Sequence, residues 1–327
     1  MKPELAGFGG YEMMAESGTG TALLLRVDQT DAEVEYIRSL VEHRGFHLVS
    51  ASPESVPEGQ AASLLLAAPA SPVDGRFLCG IAGLRAVATP SVGVDHIDIG
   101  AAQALGITVC SAPGYNATEV AEYALSGILL LLKDLLRGAA TVADREWRCR
   151  QLEPIALQDA VVGLIGFGTI ARRLAVQLHE LDVRTLVWNR SAIDRYPESS
   201  HVEFCASMQD LVATCDVVSL HVPLTNSTAN MVGPQFLTWM KAGSGLVNTA
   251  RGGLIDATAV ADALHRQHLR GAVLDVLEHE PPLWQTDPLL SAPHALVTPH
   301  QAWLTPGSRY RGWDVAVEAA TGEGKAS

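Results

Sequence analysis

The sequence predicts an α/β protein made of two domains, each with a doubly wound parallel sheet. Short apolar runs alternate with amphipathic stretches along most of the chain, which is the order of strands and helices in this class. In the second half these runs are apolar on both faces, as strands are when helices cover both sides of a parallel sheet. A length of 327 residues fits two domains of about 100 to 200 residues each.

The first part of the chain carries five predicted strands. A helix is expected over 31–44, and a second, over 97–105, ends at Gly106, a residue type suited to the left-handed conformation that ends helices. The predicted strands are 22–27, 46–49, 63–67, 84–88 and 107–110. Residues 1–20 hold no continuous apolar region, so they are predicted to form a loose leader and not a secretory signal.

A long helix from Thr118 leads into the second series of strands. These are predicted at 161–165, 184–188, 216–221, 245–249, 271–275 and 295–298. The last helical stretch, 305–320, lies beyond the series and is expected to return to the first domain. One domain, 115–301, is therefore predicted to be inserted into another that comprises 21–114 and 302–327.

The composition excludes several classes of protein. With 23 basic against 36 acidic residues the formal charge is −13, so the chain offers no positive field to a nucleic acid or an anionic membrane. The longest apolar stretch, 124–132, is much shorter than the ~20 residues that cross a bilayer. The five cysteines are scattered and never spaced as CxxC, which predicts neither a disulfide framework nor a metal site and favours the cytoplasm.

A glycine-rich turn, Gly166-Phe167-Gly168-Thr169-Ile170-Ala171, stands between a predicted strand and a predicted helix. In such a unit Gly166 makes the tight turn and Gly168 lets the backbone approach a pyrophosphate. Thr169 and Ile170 lead into a helix predicted over 172–180, and the amides and partial positive charge of a helix N-terminus favour phosphate oxygens. The segment predicts a dinucleotide site in the second domain.

The end of the next strand bears on which dinucleotide is bound. An acidic residue at this point holds the 2′-hydroxyl of NAD, but here the strand ends Trp188-Asn189-Arg190-Ser191. Asn189, Arg190 and Ser191 are donors for a 2′-phosphate, and no carboxylate repels it. The sequence therefore favours NADP, with NAD as the alternative if Arg190 is a solvated residue that only stacks on the adenine.

Three polar segments, 248–253, 275–281 and 298–300, follow strands of the second series. The carboxyl ends of parallel strands are where α/β proteins bind ligands. Arg251 has the fork-shaped cation that suits the carboxylate and carbonyl oxygen of a 2-oxo acid, and His300 suits proton transfer near neutral pH. Glu280 is predicted to orient the imidazole and to stabilise its charged form.

The ordered motifs resemble those of the D-isomer-specific 2-hydroxyacid dehydrogenases. The resemblance rests on 91–98 (SVGVDHID), the glycine-rich turn, ARGG at 250–253, LDVLEHEP at 274–281 and TPH at 298–300. It covers roughly 21–312 and implies two Rossmann-like or flavodoxin-like domains, with the dinucleotide domain inserted into the substrate domain.

The resemblance also implies roles for single residues. Arg251 would bind substrate, while His300 would be the acid/base with Glu280 as its partner. The amides of Val92 and Gly93 would bind the substrate carboxylate. Two further residues are assigned to the cofactor site: Asp275, near the nicotinamide carboxamide, and Thr249.

The predicted function is that of an oxidoreductase that reduces a small 2-oxo acid to a D-2-hydroxy acid, or the reverse, with NAD(P)H, as a homodimer. The chain departs from the family pattern after His300, where Gln301-Ala302-Trp303 replaces a run of small residues and places a large indole near the predicted acid. The alternative is a non-catalytic NAD(P)-binding corepressor or redox-sensing module of the same fold. Retention of the arginine, glutamate and histidine argues for the enzyme.

Overall fold

Two parallel sheets, each in its own unit of the chain, organise the protein. The computed structural model describes residues 20–190 and 201–322. Of the described residues, 20–115 and 305–322 form one unit, and those between Asn116 and Leu304 form the other. The predicted α/β class with two parallel-sheet units is confirmed. No helix in the described ranges is long and apolar enough to cross a membrane.

The first unit has a five-stranded sheet in the order β2-β1-β3-β4-β5, and all neighbouring strands are parallel. This 2-1-3-4-5 order is that of flavodoxin-like folds. Its strands are β1 (Gly20–Leu25), β2 (Phe46–Ala51), β3 (Leu64–Ala67), β4 (Ala86–Ala88) and β5 (Thr108–Cys110). Its helices are α1 (Asp31–Glu42), α2 (Gly75–Gly80), α3 (Ile99–Ala104) and, from the end of the chain, α10 (Pro306–Thr321).

Alternate side chains of β1 enter two separate cores, which is why the strand is apolar on both faces. Leu24 packs in the core that contains Ile37 of α1 and Trp313 of α10. Leu23 packs on the opposite face with Leu78 of α2. The helix at the end of the chain therefore completes the first unit, and Tyr36 ties it to α1 by donating a 2.6 Å hydrogen bond to Asp314.

The second unit has a seven-stranded parallel sheet in the order β12-β11-β10-β9-β6-β7-β8. Its strands are β6 (Val161–Ile165), β7 (Arg184–Trp188), β8 (Glu203–Phe204), β9 (Val217–Leu220), β10 (Ser244–Asn248), β11 (Leu269–Leu274) and β12 (Ala295–Val297). Its helices are α4 (Ala117–Leu132), α5 (Leu135–Ala143), α6 (Thr169–Glu180), α7 (Met208–Thr214), α8 (Pro234–Trp239) and α9 (Ala257–His265). The order reverses between β6 and β9, and the crevice outside the strand ends at such a point is where doubly wound sheets bind ligands.

The bounds of the two units differ slightly from those predicted, for local reasons. Tyr115 belongs to the first unit because its carbonyl accepts a hydrogen bond from Arg311. Residues 302–304 belong to the second, since the Ala302 amide donates to Asp275 and the Leu304 amide to the Gln301 carbonyl.

Among the elements that begin earlier than predicted, two affect how the fold is described. Gly20, predicted to be the last leader residue, already pairs with Phe46 in the sheet, while the rest of the predicted leader lies outside the described residues. Helix α6 begins at Thr169 and not at Arg172. The glycine-rich turn therefore leads directly into helix, which brings the first amides of α6 next to the turn.

Candidate active site

The glycine-rich turn after β6 has the geometry of an anion site. Gly166 has φ +96°, and a Cβ atom there would lie 2.6 Å from the carbonyl oxygen of His221, so only glycine fits. Gly168 is the N-cap of α6, and no side chain of the described residues caps this end. A Cβ on Gly168 would meet none of the described atoms within 4 Å. The first amides of a helix have no partner within the helix, so at an uncapped end beside the uncrowded Gly168 they suit phosphate oxygens.

A second observation at the same sheet edge fits a dinucleotide. The hydroxyl of Thr249, directly after β10, is buried and has no hydrogen-bond partner among the residues that the structure describes. An unsatisfied buried hydroxyl costs about 1–3 kcal/mol, and a bound ligand removes that cost when it supplies the partner. Together with the uncapped amides of Thr169 and Ile170, this hydroxyl fits the NAD(P) group that the fold implies.

The strand end that is predicted to read the ribose lies next to this turn, because the Gly166 amide donates a 2.8 Å hydrogen bond to the Trp188 carbonyl. Asn189 follows it and is partly exposed, and Arg190 is exposed. The third predicted residue, Ser191, lies outside the described residues.

His300 and Glu280 form a direct pair. His300 Nδ1 lies 2.6 Å from Glu280 Oε2, and the other carboxylate oxygen, Oε1, accepts the Leu277 amide at 3.0 Å. The pKa of Glu280 lies below its usual value. Partial burial alone would raise it. The opposing effects are larger, and they come from the hydrogen bond and charge of His300, the Leu277 amide and the charge of Arg251. The carboxylate therefore stays ionised and holds one ring nitrogen, which leaves Nε2 for chemistry.

The backbone of His300 is left-handed, with φ +51°. This conformation is uncommon for a residue other than glycine and persists where neighbouring groups fix it. Here the His300 amide lies 2.8 Å from the Asp275 carbonyl and 2.9 Å from the Thr298 carbonyl. The turn after β12 thus sets the direction in which the imidazole leaves the chain.

The Asp275 carboxylate holds the same turn. It is only 1% exposed, and it accepts hydrogen bonds from the Thr298 hydroxyl at 2.6 Å, the Gln301 amide at 2.9 Å and the Ala302 amide at 2.7 Å. Sequence analysis assigned Asp275 to the cofactor and missed this structural role. The role near the nicotinamide carboxamide stays a prediction.

Arg251 begins the turn that follows β10. Its backbone carbonyl accepts the Asn248 side-chain amide at 2.9 Å, and its guanidinium donates to the Ala250 carbonyl at 2.8 Å. The next residue, Gly252, packs directly on the Leu277-Glu278 backbone. The structure thus brings the segments of Arg251, Glu280 and His300 together at one edge of the second sheet, as the sequence predicted.

The loop with Val92 and Gly93 lies in the first unit, where polar side chains fix it. The Ser91 hydroxyl donates to the Gly93 carbonyl at 2.6 Å, and Thr89 Oγ1 lies 2.9 Å from that hydroxyl and 3.2 Å from His96 Nε2. Burial lowers the pKa of His96, which keeps the ring neutral. The predicted contact of this loop with a substrate carboxylate stays a prediction.

Comparison with known proteins decides the family. Residues 125–302, more than half of the chain, match the family model of the D-isomer specific 2-hydroxyacid dehydrogenase, NAD binding domain. The chain belongs to this family of dehydrogenases. The resemblance drawn from the sequence motifs is confirmed, and membership supports NAD-dependent oxidoreduction between 2-hydroxy acids and 2-oxo acids.

Relatives across the dehydrogenase family differ in how much of their length this chain spans. The (S)-sulfolactate dehydrogenase of Chromohalobacter salexigens is 36% identical over 284 residues, which are 86% of this chain and 89% of that protein. The D-3-phosphoglycerate dehydrogenase of Methanocaldococcus jannaschii is 33% identical over 68% of this chain, which spans only 42% of that longer protein.

A solved member of the family has the same fold. The D-lactate dehydrogenase of Aquifex aeolicus, crystallised with NAD and lactic acid, matches with a TM-score of 0.78 and 28% identity, over 90% of this chain and 93% of that one. This similarity and the family model support NAD binding by the second unit.

Proposed function

We propose that this chain is an NAD(P)-dependent dehydrogenase that interconverts a small 2-oxo acid and a D-2-hydroxy acid, with His300 as the proton-transferring group. The observation that carries the proposal is the 2.6 Å pair between His300 and Glu280. It lies at the strand ends of the unit that also holds the uncapped amides of the glycine-rich turn. Family membership supports the reaction class.

The residues divide the chemistry of reduction between them. Arg251 binds the carboxylate of the 2-oxo acid and polarises its carbonyl oxygen. The chemistry that NAD(P)H would supply here, when bound, is a hydride for the carbonyl carbon. The carbonyl π electron pair moves onto oxygen, and His300 gives its Nε2 proton to that oxygen, which yields the 2-hydroxy acid. The ionised Glu280 stabilises the imidazolium before transfer and keeps the ring oriented afterwards. In the oxidation direction His300 takes the proton.

The first test replaces His300 by alanine. Turnover of 2-oxo acids should fall by about 10²–10⁴-fold, since the variant lacks the acid, while the dissociation constant of the cofactor stays within twofold. His47→Ala, which changes an exposed histidine of the first unit, is the matched control and should keep wild-type rates. Wild-type turnover by His300→Ala would remove the proposed role.

The named activities of the relatives set the substrate panel. The 2-oxo counterparts of sulfolactate and lactate, with longer 2-oxo acids, should be assayed with NADH and NADPH side by side. We propose that Trp303, three residues after His300, narrows the substrate pocket, so Trp303→Ala should raise kcat/KM for the longer acids relative to the shortest. An unchanged ratio would contradict this role. Binding of NAD(P)H without oxidation by any acid of the panel would instead favour the corepressor or redox-sensing alternative.

We also propose a preference for NADP over NAD within a site that the family equips for NAD. Support comes from the strand end, where Asn189 and Arg190 stand in place of a carboxylate. Asn189→Asp should shift the ratio of kcat/KM toward NADH, since the new carboxylate accepts from the ribose hydroxyls and repels a 2′-phosphate. Asn230→Asp, which adds the same charge elsewhere in the second unit, should leave the ratio unchanged, and an unaltered ratio in Asn189→Asp would contradict the assignment.

We propose a homodimer whose interface includes α5. This helix contains no buried residue, and its Leu135 and Val142 are 57% and 54% exposed, while Trp147 beyond it is 91% exposed. Apolar side chains grouped in this way favour a second copy, because a two-fold interface buries the same patch twice. Val142→Lys should convert the dimer to a monomer in light scattering, whereas Val176→Lys on α6 should not. A wild-type monomer would contradict the proposal.

The cytoplasm is the location that we propose. All five cysteines are free thiols, as a reducing compartment maintains them. Fractionation of the source cells with an antibody to the chain tests this, and recovery of the protein outside the cytoplasm would contradict it.

A further inference from the structure

A closed ring of hydrogen bonds includes two residues of the turn that contains His300. The Gln301 side-chain amide donates to Tyr123 Oη at 3.3 Å, and the Tyr123 hydroxyl donates to Thr298 Oγ1 at 2.8 Å. The Thr298 hydroxyl donates to Asp275 Oδ1 at 2.6 Å, and the same oxygen accepts the Gln301 backbone amide at 2.9 Å. The ring therefore begins and ends at Gln301 and joins α4 to the ends of β11 and β12.

Three of the four hydrogen bonds run in series from the Gln301 side chain to Asp275, and the fourth, from the Gln301 backbone amide, ends on the same carboxylate oxygen. Tyr123 and Thr298 each accept one hydrogen bond and donate one, and the chain of donors ends on the buried Asp275 carboxylate. Hydrogen bonds in series polarise one another, so each is strengthened by its neighbours. The Tyr123 hydroxyl is the hydrogen-bond acceptor for the Gln301 side chain and the donor to the Thr298 hydroxyl.

The ring contains residues that come before and after His300 in the sequence, and His300 is the acid in the proposed function. His300 lies between Thr298 and Gln301, and its own amide lies within hydrogen-bond distance of the Asp275 and Thr298 carbonyls in a left-handed conformation. A change in this turn moves the imidazole relative to Glu280, whose Oε2 lies 2.6 Å from Nδ1. Misplacement of a catalytic group by about 1 Å costs up to about 10²-fold in rate.

We infer that Tyr123 is a positioning residue for His300 and that the Gln301 side chain is its partner in this role. The inference rests on the proposed function, in which His300 transfers the proton. It also explains what Gln301 does in the run that departs from the family pattern, because an aliphatic side chain there has no donor for the tyrosine.

The test compares Tyr123→Phe, Thr298→Val and the double variant. Each single change should lower kcat for 2-oxo acid reduction about tenfold, a part of the loss expected for a full 1 Å misplacement, with the KM for cofactor within twofold. The double variant should lose little more than either single variant, because both break the same ring. In the wild type the His300 Nδ1 proton should give a downfield NMR signal, and Tyr123→Phe should broaden it.

Tyr36→Phe is the matched control, since it removes a tyrosine hydrogen bond, to Asp314, in the first unit. It should leave kcat and the His300 signal unchanged. A Tyr123→Phe protein with wild-type kcat and an unchanged His300 signal would overturn the inference, and so would a double variant whose loss is the product of the single losses.

The outcome also separates this inference from the proposed function. If His300→Ala is inactive and Tyr123→Phe is silent in both readouts, only the positioning role fails. If His300→Ala keeps wild-type turnover, the proposed function fails, and the NMR signal of His300 in Tyr123→Phe still decides whether the tyrosine positions the ring.

Discussion

Replacing Gly252 by alanine should damage the site more than any other single added methyl group near it. A Cβ on Gly252 would lie 1.9 Å from the Leu277 carbonyl carbon, 2.0 Å from its oxygen and 2.3 Å from the Glu278 nitrogen. All three atoms are backbone, so no side-chain rotation relieves the contact. Non-bonded carbon atoms prefer separations of about 3.5 Å, so the two segments must move apart by about 1.5 Å.

This movement reaches the proposed acid through two hydrogen bonds. The Leu277 amide holds Glu280 Oε1, and Glu280 Oε2 holds His300 Nδ1. Displacement of a catalytic group by about 1 Å costs about 10²-fold in rate, and overpacking costs about 1–3 kcal/mol of stability. We expect Gly252→Ala to lower kcat by about 10²-fold and the free energy of unfolding by about 3 kcal/mol.

Steady-state reduction of a 2-oxo acid and urea unfolding at neutral pH measure the two effects. Gly253→Ala is the matched control, because its Cβ would meet only the Leu224 side chain, at 3.1 Å, and that leucine is exposed enough to move. It should change kcat less than threefold. If Gly252→Ala matched the wild type in both assays, the close contact between Gly252 and the Leu277-Glu278 backbone would not set the position of His300.

Three further predictions concern charge and protonation. Glu280→Gln should lower kcat by about 10²-fold without weakening cofactor binding in fluorescence titration, because the amide carries no charge to stabilise the imidazolium; equal rates would contradict it. Burial lowers the pKa of His221 to about 4 in the folded protein. Between about pH 6.5 and 4 this histidine is therefore more protonated in the unfolded chain than in the folded one. Wild-type stability should therefore fall as the pH drops through this window, by up to about 3 kcal/mol, and urea unfolding of His221→Asn should show a smaller fall. Asp275→Asn should lower the free energy of unfolding by about 2 kcal/mol, since an amide places a donor against backbone N–H groups; unchanged unfolding would argue against the buried network.

Much of the fold followed from local patterns in the chain. Leu23 and Leu24 are both apolar because β1 is covered on both faces, and that pattern is legible without coordinates. Gly166 and Gly168 stand out because the turn demands glycine at fixed spacing from a strand. Arg251, Glu280 and His300 were identified because they follow apolar strands, and the carboxyl ends of parallel strands lie at one edge of a sheet.

Other parts of the site had no local signal. Tyr123 lies in the helical run 117–132, and nothing in its neighbourhood indicates that it contacts Gln301, 178 residues later. The Asp275 carboxylate also accepts hydrogen bonds from three groups of the turn after β12, and nothing in the sequence near Asp275 indicates these contacts. Even the first residue of α6 depended on the backbone path after Gly168.

The amino-acid sequence by itself determined the class of fold, the family and the position of the glycine-rich turn. It also singled out the residues that are proposed for the reaction, Arg251, Glu280 and His300. Backbone chemistry and the period of apolar residues act over a few positions, so they can be read along the chain. Only the tertiary structure decided that the backbone of His300 is left-handed, that Glu280 holds Nδ1 and that Tyr123 forms hydrogen bonds with Thr298 and Gln301. These features depend on strand register and on distances between segments far apart in sequence, which the packing of the sheet and its helices sets.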